Sequence, residues 1–462
     1  MNAHHQEADL GIPKVTATLA DWIVGLQADD IPAEVRREGL RTFVNWVGCA
    51  VGGARHETAD AALRAFTPFS GQQVSTVLGR PERLDPAHAA LMNGITSHVL
   101  DYDDTHLRTI LHPAGPVASA LLALAEMRPV SGADLLTALV AGVETECRIA
   151  NAIYPDHYDR GWHITGTAGV FGAAAAVGRM IGLDAQRMRW ALGLAASQSS
   201  GLREMFGTMT KSFHPGIAAR NGMMAALMAE AGYDSSERAL EAPRGFAHVM
   251  SDKQDWAEIL DGLGTHWEAA TNSYKPFACG IVIHPAIDGC IQLRDELGAE
   301  KVGQIAAVRL RAHPLVLELT GRKTPKTELE GKFSVYHCAS VALLHGDGAP
   351  TAFTDEIVND AAVVALRGLI EVEANPDCHS ASVDIEVTLK DGSTHTKHVE
   401  RAIGSAEKPL TDAQLDRKFT DQAALVVGPE VTERLRAVAW ALESLDDASE
   451  VARASVPDSV AG

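Results

Sequence analysis

Apolar residues recur at helical spacing through most of the first half of the chain. From Thr16 onward Leu19, Trp22, Ile23 and Leu26 fall on one face, Pro32 sits where a second helix would begin, and Leu40, Phe43, Val44, Val47 and Val51 line its apolar side. A region studded with Gly, Ala, Ser and Pro follows, up to Pro86. Helical spacing returns over residues 87–97, 117–127, 131–148, 169–181, 188–197 and 218–231, and small residues dominate there, which suits close helix packing. The period then changes from about 3.6 to two. Val308, Leu310 and Ala312 alternate with Arg309 and Arg311, and Val383, Ile385, Val387 and Leu389 alternate with Asp384, Glu386 and Thr388. Asp391-Gly392 predicts a hairpin into Thr394-His395-Thr396. Helices over residues 283–297 and 334–344 are interleaved with these strands. Past Lys408 the pattern is helical again: Thr411-Asp-Ala-Gln414 forms a capping box, residues 431–445 are apolar on one face, and residues from Ala448 read as a frayed end.

This order predicts a mainly α protein with an α+β second domain. The large all-helical domain spans residues 1–271 and is discontinuous, closed by the C-terminal helices of residues 408–462. A smaller α+β domain of residues 272–407 is inserted between them. A chain of 462 residues exceeds the usual size of one core, which fits two domains.

Composition narrows the function classes. A net charge of −20 leaves no broad basic face for nucleic acid or an anionic membrane, although a few local cations can still govern one pocket. The six cysteines are scattered, with no C-x-x-C pair, so neither a disulfide framework nor a zinc site is expected and reduced thiols in cytoplasm are the default. Residues 1–12 lack the basic start and apolar run of a signal peptide, and no apolar run reaches membrane-spanning length. P-loop, G-x-S-x-G and H-E-x-x-H motifs are absent. Gly166-Thr-Ala-Gly169-Val-Phe-Gly172 has the wrong spacing and no preceding strand for a dinucleotide fingerprint, so helix packing explains it better.

One stretch breaks the apolar pattern. Between His98 and Pro113 lie Asp101, Asp103, Asp104, Thr105, His106 and His112, flanked by helical runs rich in alanine. Carboxylates that close raise one another's pKa and must be paired or solvated. A solvated acidic loop with a helix cap is the plain explanation of such a D-x-D-D. Four further clusters argue otherwise: Gly161-Trp-His163-Ile-Thr-Gly-Thr167; a loop, Gly207-Thr-Met-Thr210-Lys211-Ser-Phe-His214-Pro-Gly216; Tyr274-Lys275 through His284-Pro285; and the basic run from Arg322 to Lys332. Singly, each histidine fits a core residue and each lysine a solvated one. Their recurrence beside Pro and Gly turns, bracketed by apolar helices, points to one site.

The motifs L-D-Y-D-D-T-H and H-P at 112, G-W-H-x-T-G-T-A-G at 161, T-K-S-F-H-P-G at 210 and K-P-F-A-C-G-I-V-I-H-P at 275 resemble the MmgE/PrpD family, over residues 16–445. That family includes 2-methylcitrate dehydratase, cis-aconitate decarboxylase and iminodisuccinate epimerase. The resemblance implies a helical domain with a smaller inserted α+β domain, a homodimer and no organic cofactor; the acidic stretch is read as orienting rather than ligating, so no metal is expected. It also implies a pocket of Asp101, Thr105, His112, His163, Lys211 and His284. Two departures from the decarboxylase branch, His106 in place of an aromatic residue and the Cys279-Gly280 step in place of a second histidine, argue against decarboxylation of cis-aconitate in particular.

The family's reactions make or quench a carbanion beside a carboxylate, which needs a base within reach and cations to hold the developing charge. The expected substrate is therefore a small anionic di- or tricarboxylate and the expected activity that of a lyase, with epimerisation of an amino- or iminodicarboxylate as the alternative. His112 and His284 are the acid/base candidates and Lys211 and Lys275 the carboxylate anchors; Asp101 and His163 orient them. Thr105, Thr210, His214 and Arg322 complete the expected binding set. Asp101 and Thr105 would share a face if their stretch were helical. Three rival readings are a protonation-initiated terpene cyclase, a Mg²⁺-dependent hydro-lyase built on the acidic stretch, and a non-enzymatic helical scaffold. The first needs an aromatic cavity that 5% aromatic residues do not favour.

Overall fold

The computed structural model describes residues 13–457 and is organised by two hydrophobic cores. The first unites the helices Val15–Gly25, Ala33–Gly52, Pro86–Val99, Ala114–Ala125, Gly132–Ile153, Ile164–Met180 and Thr210–Glu230. Phe419, Ala423, Val431 and Leu435, from the helices Asp412–Val427 and Pro429–Trp440, belong to this same core. The end of the chain thus closes on its beginning. Gly48 makes this possible: a Cβ there would lie 2.9 Å from the Phe419 ring. The helix Asp412–Val427 starts on the capping box expected of it, with Thr411 and Gln414 exchanging bonds.

The second core is built on a four-stranded sheet in the spatial order Ile370–Ala374, Ile305–Ala312, Val383–Leu389, Thr394–Val399. The first pair is parallel and the other two are antiparallel. Burial alternates along Val383–Leu389, as the two-residue period requires. Gly392, at φ +86°, turns the expected hairpin. The helices His284–Leu297 and Val335–His345 cover the apolar face. Cys49, Val99, Leu100 and Tyr102 also join this core, so the two halves are in direct contact.

The region up to Pro86, for which no element was expected, holds the helix Glu57–Phe66 and an antiparallel pair, Ser75–Thr76 with Arg83–Leu84. The helix start is hard to read because its cap is the imidazole of His56, which accepts from the Thr58 amide, and not a usual capping side chain. Residues 448–457 are not the frayed end expected of them, and residues 458–462 lie outside the described residues. Ala448 and Val451 are fully buried and Glu450–Ala454 is helical, a run too short to reveal a period. Residues 1–12, which bear on the expected absence of a signal peptide, lie outside the described residues. No described helix is long and apolar enough to cross a membrane.

Between the cores runs a two-stranded ladder, Asp104–Thr105 with Ser273–Tyr274, in the register Asp104 to Tyr274 and Thr105 to Ser273. It fastens the acidic stretch to the chain just as that chain enters the second core. It also brings Lys275 to Asp101.

Candidate active site

The helix Pro86–Val99 ends just before the acidic stretch, and the chain then turns sharply at Asp101, whose φ is +50°. Aspartate is among the few residues that tolerate this conformation. The stretch is therefore not helical, and Asp101 and Thr105 do not share a helical face. Ile110 is also left-handed, at φ +60°, a conformation that a β-branched residue holds only where its surroundings impose it. Both residues line one cleft.

Asp101 Oδ1 accepts from Lys211 Nζ at 2.9 Å and from Lys275 Nζ at 2.7 Å. Burial by itself would push this carboxyl up; the Lys211 and Lys275 ammoniums outweigh it and hold it well below the usual carboxylate range. Burial likewise lowers Lys211, with Asp101 opposing. The segment carrying Lys211 and His214, expected as a loop, is the start of the helix Thr210–Glu230. That helix crosses Pro86–Val99 at glycines: a Cβ on Gly94 would lie 2.5 Å from Gly216 Cα. The close crossing sets Lys211 beside His98, whose Nε2 accepts from Lys211 Nζ at 2.8 Å. The Phe206 and Phe333 rings each lie 5.4 Å from the ammonium.

Three imidazoles surround the lysines. The ring centroids of His98 and His112 are 4.7 Å apart, and those of His112 and His163 are 6.4 Å apart. His112 Nδ1 donates to the Asp104 carbonyl at 2.7 Å, which leaves Nε2 as its basic nitrogen. The His112 amide donates to Thr165 Oγ1, which fixes the backbone. Burial holds both His112 and His163 well below the ordinary imidazole range, so each is neutral near pH 7. His163 shares a 2.8 Å Nδ1–Nδ1 hydrogen bond with His214, whose own pKa burial lowers to about 4.

The cleft encloses about 390 Å³ including its mouth. Asp101, His112, His163, Lys211 and Lys275 all line it, together with Ile281, Thr320 and Phe333 from later in the chain. Thr105 and His214 are buried behind it, each hydrogen-bonded to a lining histidine. The remaining expected residues are elsewhere. Thr210 is exposed at the helix start, and Arg322 is half-exposed and paired with Glu330. His284 is buried against Phe277, 5.3 Å between centroids, and lines an adjoining groove that shares Ile110, Ile281 and Val282 with the cleft. Spacing along the chain could not foresee this, because the turn Ile281–Ile283 rotates the start of the next helix away. His98, Asp103, Tyr158, Phe206 and Phe333 were missed as site residues. His98 and Asp103 were visible in the acidic stretch, but only the helix crossing ties them to Lys211.

Ring and carboxylate atoms of His98, His112 and His163, and those of His98, Asp101 and Asp103, lie within 4.8 Å of one another. The Lys211 ammonium already bonds His98 Nε2 and Asp101 Oδ1, two donor atoms of these residues. The donor set thus fits a lysine cation better than a divalent ion.

Behind the cleft, burial and the neighbouring Asp103 raise the Asp104 carboxyl to about 7, although Asn272 and the Ala114 amide donate to its Oδ2.

Models of the MmgE/PrpD N-terminal domain and the MmgE/PrpD C-terminal domain match residues 17–259 and 277–444. The cis-aconitate decarboxylase of Homo sapiens is 30% identical over 456 residues, covering 95% of this chain and 94% of its own. That of Aspergillus terreus is 27% identical over 464 residues, covering 94% of each chain. The mitochondrial 2-methylcitrate dehydratase of Yarrowia lipolytica is 23% identical over 418 residues, covering 82% of this chain and 78% of its own.

Proposed function

Because the chain belongs to the MmgE/PrpD family, we propose that it is a lyase that moves a proton at a carbon next to a carboxylate, on a small di- or tricarboxylate. The observation that carries this reading is the pairing across the cleft of a neutral imidazole, His112 with Nε2 free, and two ammoniums, Lys211 and Lys275. The ammoniums bind a substrate carboxylate beside Asp101. His112 Nε2 takes the adjacent C–H proton, and the electron pair moves into the carboxylate, whose growing charge the lysines stabilise. In a dehydration that pair then forms the C=C bond as the C–O bond on the next carbon breaks, and the departing hydroxyl takes the proton held on His112 and leaves as water. In a decarboxylation the C–C bond to a carboxylate breaks in place of the C–H bond, CO₂ leaves, and the pair left on carbon takes a proton from a lysine ammonium.

Gly280 lines the cleft at the step where the decarboxylase branch carries a histidine, so this chain has one imidazole fewer for that chemistry. His112 and Lys211 also suit proton removal and return at one carbon, which keeps an epimerase of an amino- or iminodicarboxylate as the second reading.

The test is NMR of the protein in D₂O with methylcitrate, citrate, cis-aconitate and iminodisuccinate. Deuterium is expected at a carbon next to a carboxylate of at least one of them. Loss of water or CO₂ identifies the lyase and inversion without loss the epimerase, while an unlabelled panel defeats both.

A further inference from the structure

Lys211 has three ammonium hydrogens, and the fold accounts for two. One goes to Asp101 Oδ1 at 2.9 Å and one to His98 Nε2 at 2.8 Å. A neutral imidazole can accept there only if its proton is on Nδ1, and His98 Nδ1 lies 2.6 Å from Asp103 Oδ2. His98 and Asp103 are both almost completely buried, so no water competes for either bond. We propose that Asp103 and His98 form a positioning pair for Lys211. Asp103 holds the proton of His98 on Nδ1, and the bare Nε2 then turns the ammonium so that its third hydrogen points into the cleft.

The pair's part in catalysis rests on the reading of Lys211 as the group that meets the substrate, while His98 and Asp103 do not themselves meet it. The alternative tautomer would direct the Nε2–H of His98 at an ammonium, and no acceptor would remain on that side. Other groups cannot take over. From its own helix Lys211 has only His214, which is committed to His163. From the opposite wall it has Lys275, a like charge that already uses Asp101. The Phe206 and Phe333 faces attract the ammonium but do not orient its hydrogens. Asp103 also faces His112, with Oδ1 3.6 Å from Nδ1, too far for a hydrogen bond.

Two measurements test the pair. In the wild-type protein, labelled with ¹⁵N-histidine, His98 is expected to be neutral with its proton on Nδ1; a signal from the Nε2–H tautomer overturns the proposal without any variant. The second uses His98→Gln and His98→Asn with the lysine side chains ¹³C-labelled and the Lys211 signal identified from Lys211→Arg. Gln places an amide oxygen where Nε2 stood, and Asn does not. His98→Asn is expected to lower the Lys211 titration midpoint by at least about one pH unit, the loss of one hydrogen bond to a charged group. With a substrate found in the D₂O panel it should lower kcat about a hundredfold with little change in KM, whereas His98→Gln stays close to wild type in both. If the Asn and Gln variants titrate alike, Lys211 is held by Asp101 alone and the proposal fails. The tautomer and the titration are read without substrate, so a protein inactive on every carboxylate overturns the proposed function and leaves these two results to decide the pair.

Discussion

Lys211 and Lys275 meet on one oxygen, Asp101 Oδ1, with the ammoniums 2.9 and 2.7 Å from it. Asp101 Oδ2 is buried with no hydrogen-bond partner. Two ammoniums share Oδ1, and the buried Asp103 carboxylate behind them balances the second charge. Under the proposed function, a substrate carboxylate meets the hydrogens that these two ammoniums leave free.

Lys211→Ala should lower kcat/KM by about a hundredfold to a thousandfold, the range for removing one preorganised donor of charge stabilisation. Folding should persist, because Asp101 keeps Lys275 as its partner. Steady-state kinetics together with thermal unfolding check this; near-wild-type kcat/KM removes Lys211 from the site.

His112→Gln should depress kcat by about a hundredfold or more, as expected for loss of a general base. His284→Gln should cost less than about tenfold, since His284 lines the adjoining groove and not the cleft. Equal losses in the two variants would mean that the base and its partner have been assigned to the wrong cavity.

Exhaustive chelation should leave activity unchanged, because the Lys211 ammonium already bonds His98 Nε2 and Asp101 Oδ1. Dialysis against EDTA followed by assay decides the matter. Loss of activity that Mg²⁺ restores would transfer the acidic stretch to the metal reading.

Asp104→Asn should stabilise the protein more at pH 8 than at pH 5. Burial raises the folded pKa of Asp104 from 3.8 to about 7. Between those values the folded form holds a proton that the unfolded form has released. Stability from this group is therefore full below about pH 4 and is lost as pH rises towards 7. Asn keeps an acceptor for the Ala114 amide and Asn272 and cannot ionise. The difference in stabilisation between pH 5 and pH 8 should be on the order of 1–3 kcal/mol, since each pH unit over which the two forms differ by one proton is worth about 1.4 kcal/mol. Urea unfolding at both pH values measures it; equal stabilisation shows that Asp104 stays in one protonation state.

By itself the sequence determined whatever depends on neighbours along the chain. The change of period near residue 300 marks the strands, Asp391-Gly392 the hairpin and Thr411 with Gln414 the helix cap; each is a local matter of backbone geometry and hydrogen bonding. The titratable stretch from His98 to His112 was legible because so many polar groups between apolar helices have no structural use. Tertiary structure alone decided which of them act together. The Gly94–Gly216 crossing puts Lys211 on His98, and the ladder of Asp104–Thr105 with Ser273–Tyr274 carries Lys275 to Asp101. Thr210, Arg322 and His284 sit in stretches as suggestive as that of Lys211, yet the first two are at the surface and the third faces another cavity. Which way a side chain points depends on helix phase and on the packing of distant segments. Neither is written in the spacing of residues along one strand of chain.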